Sequence, residues 1–304
     1  MTSPRIVSVF GATGLQGAAV ARALLKDGTF HPRAISRDPG SEASLKLKSE
    51  GIEGVKGDTL DKASLVAALR GSEAVFAVTV PLFPVKAEGE GPNEIVQGKN
   101  MVDAAKAAGV KFFFFSSLPH FTNLSGGKYK QVLFFDQKFI VEEYLKSSGL
   151  ANVSIHLGMF LENYWQFGWM RKNENGFDLN IIPGAHEKQA FSWVERDVPA
   201  VMLAMLKSYT DPSKNSFLGK TYPVITGAVT YADLADLTAQ VLGAPVTITK
   251  APPIGIPELD EMYAALGEYE GGIPATHVPE FDVIGVKLGT FKEFVETEVK
   301  SRFG

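Results

Sequence analysis

Gly11, Gly14 and Gly17 constrain this chain more than any other residues in it. A short apolar run, Ile6 to Phe10, leads straight into them, and a helix-patterned segment from Ala18 to Lys26 follows at once. A strand that ends in glycine and resumes as a helix must turn sharply, and Gly11 has no Cβ to oppose the turn. At Gly14 the missing side chain lets a pyrophosphate approach the backbone. At Gly17 it lets the helix lie close on the strand. The free N–H groups and positive dipole end of the helix then face the phosphate. Strand, spaced glycines and helix in that order predict a dinucleotide-binding turn, with Gly11, Thr13, Gly14, Leu15, Gln16 and Gly17 as its cofactor contacts.

A second strand closes on Ser36 and Arg37, about 20 residues beyond the last glycine, where NAD enzymes place an acid on the adenosine 2′-hydroxyl. A hydroxyl and a guanidinium stand here instead. A guanidinium binds a 2′-phosphate through forked, charge-assisted hydrogen bonds, so the pair predicts NADP(H), although Asp38 next to it could serve NAD. Asp58, at the end of a third strand, could accept from the adenine amine or cap the helix expected over Asp61 to Arg70. A fourth strand ends at Thr79 and Val80, which should pass under the cofactor. Lys111 to Ser117 is almost wholly apolar until its two serines, as a central parallel strand covered on both faces would be. Ser116 is expected against the cofactor.

Strand and helix alternate as far as Ser117, the signature of a doubly wound sheet, and ligands bind such sheets at the carboxyl ends of the strands. Every residue singled out above lies at such an end. The expected fold class is α/β, a Rossmann-type doubly wound parallel sheet with a smaller, discontinuous α+β cap. Residues 1–157 form the expected dinucleotide-binding domain and 158–304 the cap, with some later segments returning to the sheet. Val198 to Ser208 reads as a helix, Thr221 to Ile225 as a strand, Tyr231 to Leu242 as a helix capped by Thr230, and Phe281 to Phe303 as a terminal helical element. The acidic run Glu258 to Glu270 reads as a solvated helix or a partner-facing surface.

Charge and cysteine content remove several function classes. A net charge of −4 leaves no basic footprint for nucleic acid or an anionic membrane. The chain has no cysteine, so disulfides, thiolate nucleophiles and Cys-ligated metals are excluded, and its five histidines lack metal-site spacing. No apolar run approaches the ~20 residues that span a bilayer, and the first residues do not read as a signal peptide. A cytoplasmic protein, able to work in the nucleus as well, is expected.

The motifs Gly11-Ala12-Thr13-Gly14-Leu15-Gln16-Gly17, Ser36-Arg37, Gly57-Asp58, Gln97-Gly98-Lys99-Asn100, Asp136-Gln137-Lys138 and Val141-Glu142-Glu143-Tyr144 together resemble the NmrA-like family of atypical short-chain dehydrogenases/reductases. Phe160-Leu161-Glu162-Asn163 fits the same pattern, which implies cofactor contacts at Phe160 and Asn163; His156-Leu157 departs from the family's usual Arg-Pro. Typical short-chain dehydrogenases use Tyr-x-x-x-Lys, in which helical spacing brings a lysine beside the phenol that donates the proton. None of the eight tyrosines has a lysine four residues on, and the position four before Lys138 is Phe134. The resemblance implies that Lys138 holds the nicotinamide ribose or acts as the catalytic residue. Two functions follow. One is an NADP(H)-binding redox sensor or regulator with a protein partner. The other is an NADPH-dependent oxidoreductase acting on a small carbonyl or enone.

Overall fold

The computed structural model describes residues 5–270 and 272–304. Seven parallel strands form the central sheet: β1 (Arg5–Val9), β2 (Phe30–Ser36), β3 (Glu53–Lys56), β4 (Ser72–Val78), β5 (Phe112–Ser117), β6 (Ala151–Leu157) and, much later in the chain, β11 (Thr221–Val224). Their spatial order is β11-β6-β5-β4-β1-β2-β3. The order reverses between β1 and β4, which opens a crevice at their carboxyl ends. This is the expected Rossmann-type sheet.

Helices α1 (Leu15–Asp27), α2 (Glu42–Ser49), α3 (Lys62–Ala68), α4 (Glu94–Ala107), the short α5 (Phe121–Leu124), α6 (Leu133–Ser147) and α7 (Asn163–Gln166) precede α8 (Val194–Ser208). Val20, Leu24, Val198 and Met202 cover one face of the sheet, from α1 and α8. Leu65, Met101, Val141 and Leu145 cover the other, from α3, α4 and α6. The phenylalanine run of β5 divides between them. Phe112 and Phe114 enter the first layer, and Phe113 and Phe115 enter the second. An alternating strand with oil on both sides needs apolar residues at every position, which is why this strand reads as continuous.

The remaining strands are β7 (Met159–Phe160), β8 (Met170–Asn173), β9 (Gly176–Ile181), β10 (Lys188–Ser192), β12 (Gly227–Thr230) and β13 (Val246–Lys250). They form two three-stranded sheets, β12-β10-β7 and β13-β9-β8. With α9 (Tyr231–Leu242) and a C-terminal helix over 291–303, they build a cap around Leu161, Tyr164, Phe191, Tyr231 and Phe294, while α10 (Pro257–Glu268) packs against Phe121, Phe134 and Phe135. Three local expectations change. The first helix begins at Leu15, not Ala18, because Gly14 is its N-cap. Asp61, not Asp58, caps α3, since its carboxylate accepts from the N–H groups of Ala63 and Ser64. The terminal element is one short helix, Pro279–Val283, then a loop and the helix over 291–303.

Two residues show how tightly the sheet layers are joined. A Cβ on Gly17 would lie 2.3 Å from the Gly11 carbonyl oxygen. On the opposite face Glu142 is fully buried and ties α6 to β6 and β11. It accepts from His156 Nε2 at 2.9 Å, Lys146 Nζ at 2.8 Å and Thr221 Oγ1 at 2.5 Å. Burial pushes this carboxyl up, but the three donors outweigh it and hold the pKa at about 2, below the ordinary 4.5.

Gly17→Ala is expected to destabilise by ~1–3 kcal/mol through overpacking against backbone, read as a lower urea midpoint at unchanged slope. A carboxylate with a lowered folded pKa stabilises above its unfolded pKa and loses that contribution as pH falls. The wild-type should therefore lose stability between pH 4.5 and about 2. Glu142→Gln should be less stable at pH 7 and lack that part of the acid slope.

Candidate functional site

The glycine turn sits at the end of β1, beside the crevice. Gly11 adopts a φ of +63°, and the Gly14 N–H donates to its carbonyl at 2.9 Å. Gly14 leaves the helix without a side-chain cap, and no acid stands in the first turn. The first N–H groups of α1 thus meet neither a side-chain acceptor nor a negative charge, as an anion-binding helix end requires. Thr13 and Gly14 are exposed, and Leu15 and Gln16 are half-buried. The Gln16 Oε1 atom is buried without a partner among the described residues.

At the end of β2, Ser36 Oγ accepts from the Asp38 N–H and from Ser44 Oγ, at 3.2 Å and 3.1 Å. Asp38 turns its own carboxylate back on the Gly40 N–H at 2.9 Å. Arg37 is exposed, and no side chain among the described residues pairs with it. Asp58 accepts from the Leu60 N–H at 2.9 Å, within its own turn. Strand β2 therefore ends on an uncommitted guanidinium rather than an uncommitted acid, a donor set that suits a phosphate monoester.

Lys138 is the hub of the cleft. Its ammonium, on a buried side chain of α6, donates to the Thr79 carbonyl and to Thr79 Oγ1, each at 3.1 Å, and pairs with Glu94 Oε1. Thr79 Oγ1 donates to the same carboxylate oxygen at 2.7 Å. Glu94 is buried at the start of α4, and its second oxygen has no partner among the described residues. All three N–H groups of the ammonium are engaged. Thr79 thus faces the interior, while Val80 beside it is 55% exposed.

The surrounding motif residues hold this hub in place. Gln97 grips the Val80 backbone at both ends, accepting its N–H at 3.1 Å and donating to its carbonyl at 2.9 Å. Gly98 allows α4 to meet α6, for a Cβ there would lie 2.3 Å from the Val141 methyls. Gln137 accepts the Glu94 N–H at 3.1 Å and donates to the Lys86 carbonyl at 2.7 Å. Ser117 donates to the Lys138 carbonyl at 3.2 Å, whereas Ser116 lines the cleft.

A cavity of about 540 Å³ opens from this point into the cap. Gln16, Ser116, Lys138, Phe160 and Asn163 bound it at the sheet end. Phe134, Met159, Trp169, Met262 and Leu266 supply much of the apolar wall. The aromatic stretch after β6 divides: Phe167 and Trp169 face the cavity, and Tyr164 and Trp165 pack on Phe294 in the cap core. Three acids of α10 are hydrogen-bonded to earlier parts of the chain, Glu268 from an exposed position. Glu258 accepts from the Val85 N–H, Glu261 from Gln131 and Glu268 from Tyr129 Oη, so the helix is fastened across the cavity to the sheet side. Sequence reasoning missed Tyr263, the phenol in the wall, whose pKa burial raises. Only its place in an amphipathic helix could have marked it.

The glycine turn, Ser36, Arg37, Asp58, Thr79, Val80 and Ser116 all follow or end strands of the central sheet at their carboxyl ends, and of the expected contacts Gln16, Ser116, Lys138, Phe160 and Asn163 line the cavity. Among the described residues no group of three or more His, Asp or Glu could hold a metal ion, and no helix is long and apolar enough to cross a membrane.

A profile of the NmrA-like family matches residues 3–296. The chain belongs to that family. The NmrA-like family domain-containing oxidoreductase FrzB of Cladobotryum sp is 38% identical over 161 residues, which is 52% of this chain and 48% of FrzB, about half of its length. The corresponding oxidoreductase notA of Aspergillus sp. (strain MF297-2) is 31% identical over 247 residues, 76% of this chain and 71% of notA. Among solved structures, NmrA, a negative transcriptional regulator, in complex with NADP is similar with a TM-score of 0.76 at 18% identity, covering 99% of this chain and 97% of NmrA. The NADPH-dependent quinone oxidoreductase QOR2 of Escherichia coli, complexed with NADPH, has a TM-score of 0.67 at 24% identity, covering 95% and 98%.

Glu162, between the Phe160 and Asn163 positions, is buried and accepts the Glu195 N–H at 2.7 Å at the start of α8. Burial raises its pKa to about 7 against that backbone bond. A carboxyl whose folded pKa is raised keeps its proton while the unfolded chain loses it, so stability should decline as pH rises from 4.5 to about 7. Glu162→Gln should remove that slope in urea melts across this range, and an unchanged slope would place its origin elsewhere.

Proposed function

We propose that this protein is an NADP(H)-dependent oxidoreductase that reduces an apolar carbonyl or enone compound. The observation that carries this reading is the cavity: apolar walls run directly from Lys138 and Ser116 into the cap, leaving room for an organic molecule beside the bound cofactor. The first turn of α1 would hold the pyrophosphate and Arg37 the 2′-phosphate, with Ser36 and Asp58 nearby and Thr79, Val80, Phe160 and Asn163 along the nicotinamide half. NmrA with NADP and QOR2 with NADPH share the fold and support that assignment. NADPH, when bound there, would supply the hydride. The proton would come from Tyr263, a phenol in the cavity wall, or from Lys138 after it gives up one of its three acceptors.

A second reading keeps the cofactor and removes the turnover. Phe134 stands where a catalytic tyrosine would, and the ammonium of Lys138 is fully engaged. Those two facts favour a sensor of the NADPH/NADP⁺ ratio that signals to a protein partner. NmrA is a negative transcriptional regulator of the same fold.

Calorimetric titration should give NADP⁺ and NADPH at least tenfold tighter binding than NAD⁺ and NADH (~1.4 kcal/mol), and Arg37→Ala should erase the difference. NADPH oxidation in the presence of apolar enones should fall ~100-fold or more in Tyr263→Phe or Lys138→Ala, whichever supplies the proton. Tight NADPH binding without turnover on any enone, carbonyl or quinone would favour the sensor. Absence of binding to all four nucleotides would remove both readings.

A further inference from the structure

The cavity has a charge pattern as well as a shape. None of the residues lining it is Asp or Glu, and two are cationic, Lys138 and Arg171. Glu94 neutralises Lys138 from behind. Arg171 has no such partner. It stands on β8, its Nε donates to the Gly168 carbonyl at 3.1 Å, and its two terminal amino groups are unpaired among the described residues. Asp178 lies opposite it on β9 without forming an ion pair. Two apolar residues that line the cavity are also exposed, Phe167 at 71% and Ile254 at 44%.

Each simple ligand class leaves something unsatisfied here. An organic cation would meet a guanidinium and no carboxylate. A wholly apolar molecule would make no use of the unpaired guanidinium. A small inorganic anion would leave Phe167 and Ile254 in water. A molecule with both parts satisfies both surfaces.

We infer that the cavity takes an apolar, ring-bearing organic anion. Its rings lie between Phe134, Met159, Met262 and Leu266, and its carboxylate or sulfonate lies on Arg171. The inference rests on the cofactor reading above, and it names the class of substrate, or of effector, that shares the cleft with the nucleotide. Arg171 is then the residue that sets specificity.

Two fluorescent probes with the same ring system test this on the full chain. 8-Anilinonaphthalene-1-sulfonate carries the anion, and N-phenyl-1-naphthylamine lacks it. The sulfonate should bind at least tenfold tighter than the neutral probe. Arg171→Ala, an exposed position, should weaken the sulfonate alone and bring the two affinities together. Met262→Trp, which fills the cavity, should abolish binding of both; Leu259→Trp serves if that variant does not fold. Equal affinities in the wild-type overturn the inference. So does a preference that survives Arg171→Ala, or sulfonate binding that survives the filled cavity. Calorimetry with NADPH runs alongside and separates the two readings. NADPH binding without a sulfonate preference sinks this inference alone. A sulfonate preference without NADPH binding sinks the cofactor reading and leaves the anion site standing.

Discussion

The ion pair between Lys138 and Glu94 is the constraint around which the cleft is arranged. It joins α6 to the first turn of α4, and through Thr79 it joins both to the end of β4. Both side chains are buried, so each charge depends on the other and on the hydroxyl between them. Removing one member of such a pair costs ~3–5 kcal/mol, because the other is left buried and uncompensated. The positions of Gln97, Gly98 and Gln137 make sense only in relation to this pair: one fixes the strand end, one lets the helices touch, and one holds the Glu94 backbone. Without the pair, the floor of the cavity would have no fixed geometry.

From that floor the structure divides its chemistry by location. Polar and charged groups gather at the carboxyl ends of the strands, where the glycine turn, Arg37 and Lys138 meet the crevice. The cap contributes mostly apolar wall and one cation, Arg171. Helix α10 binds the two halves together, with its apolar side on the cavity and three acids reaching back to Val85, Gln131 and Tyr129. A helix used in this way reads as solvated in one dimension, because its partners lie more than a hundred residues earlier.

The order of elements through Ser117 was legible because local rules dominate there. Glycine at a turn, an all-apolar central strand and helices stopped by glycine carry their structure in their own residues. Arg37 was legible for the same reason: its place at a strand end follows from its distance to the glycines. Asp61 against Asp58 as the cap was not, since both satisfy the residue preference and only the backbone path decides. Tyr263 and Arg171 were invisible, for nothing around either in sequence distinguishes it from a surface residue of a short helix or strand. That a later segment returns to the sheet was expected, and Thr221 to Ile225 was read as a strand; that this strand is the one that pairs with β6 depends on a long-range contact.

By itself, then, the sequence determined a doubly wound sheet, its nucleotide-type turn and the absence of the Tyr-x-x-x-Lys pair, because each follows from spacing along one or two adjacent elements. Tertiary structure alone decided that Lys138 is saturated by Thr79 and Glu94, that the aromatics after β6 split between core and cavity, and that Arg171, a cation, lines the cavity. Those facts depend on distances between segments far apart in the chain. Packing sets such distances, and periodicity does not report them.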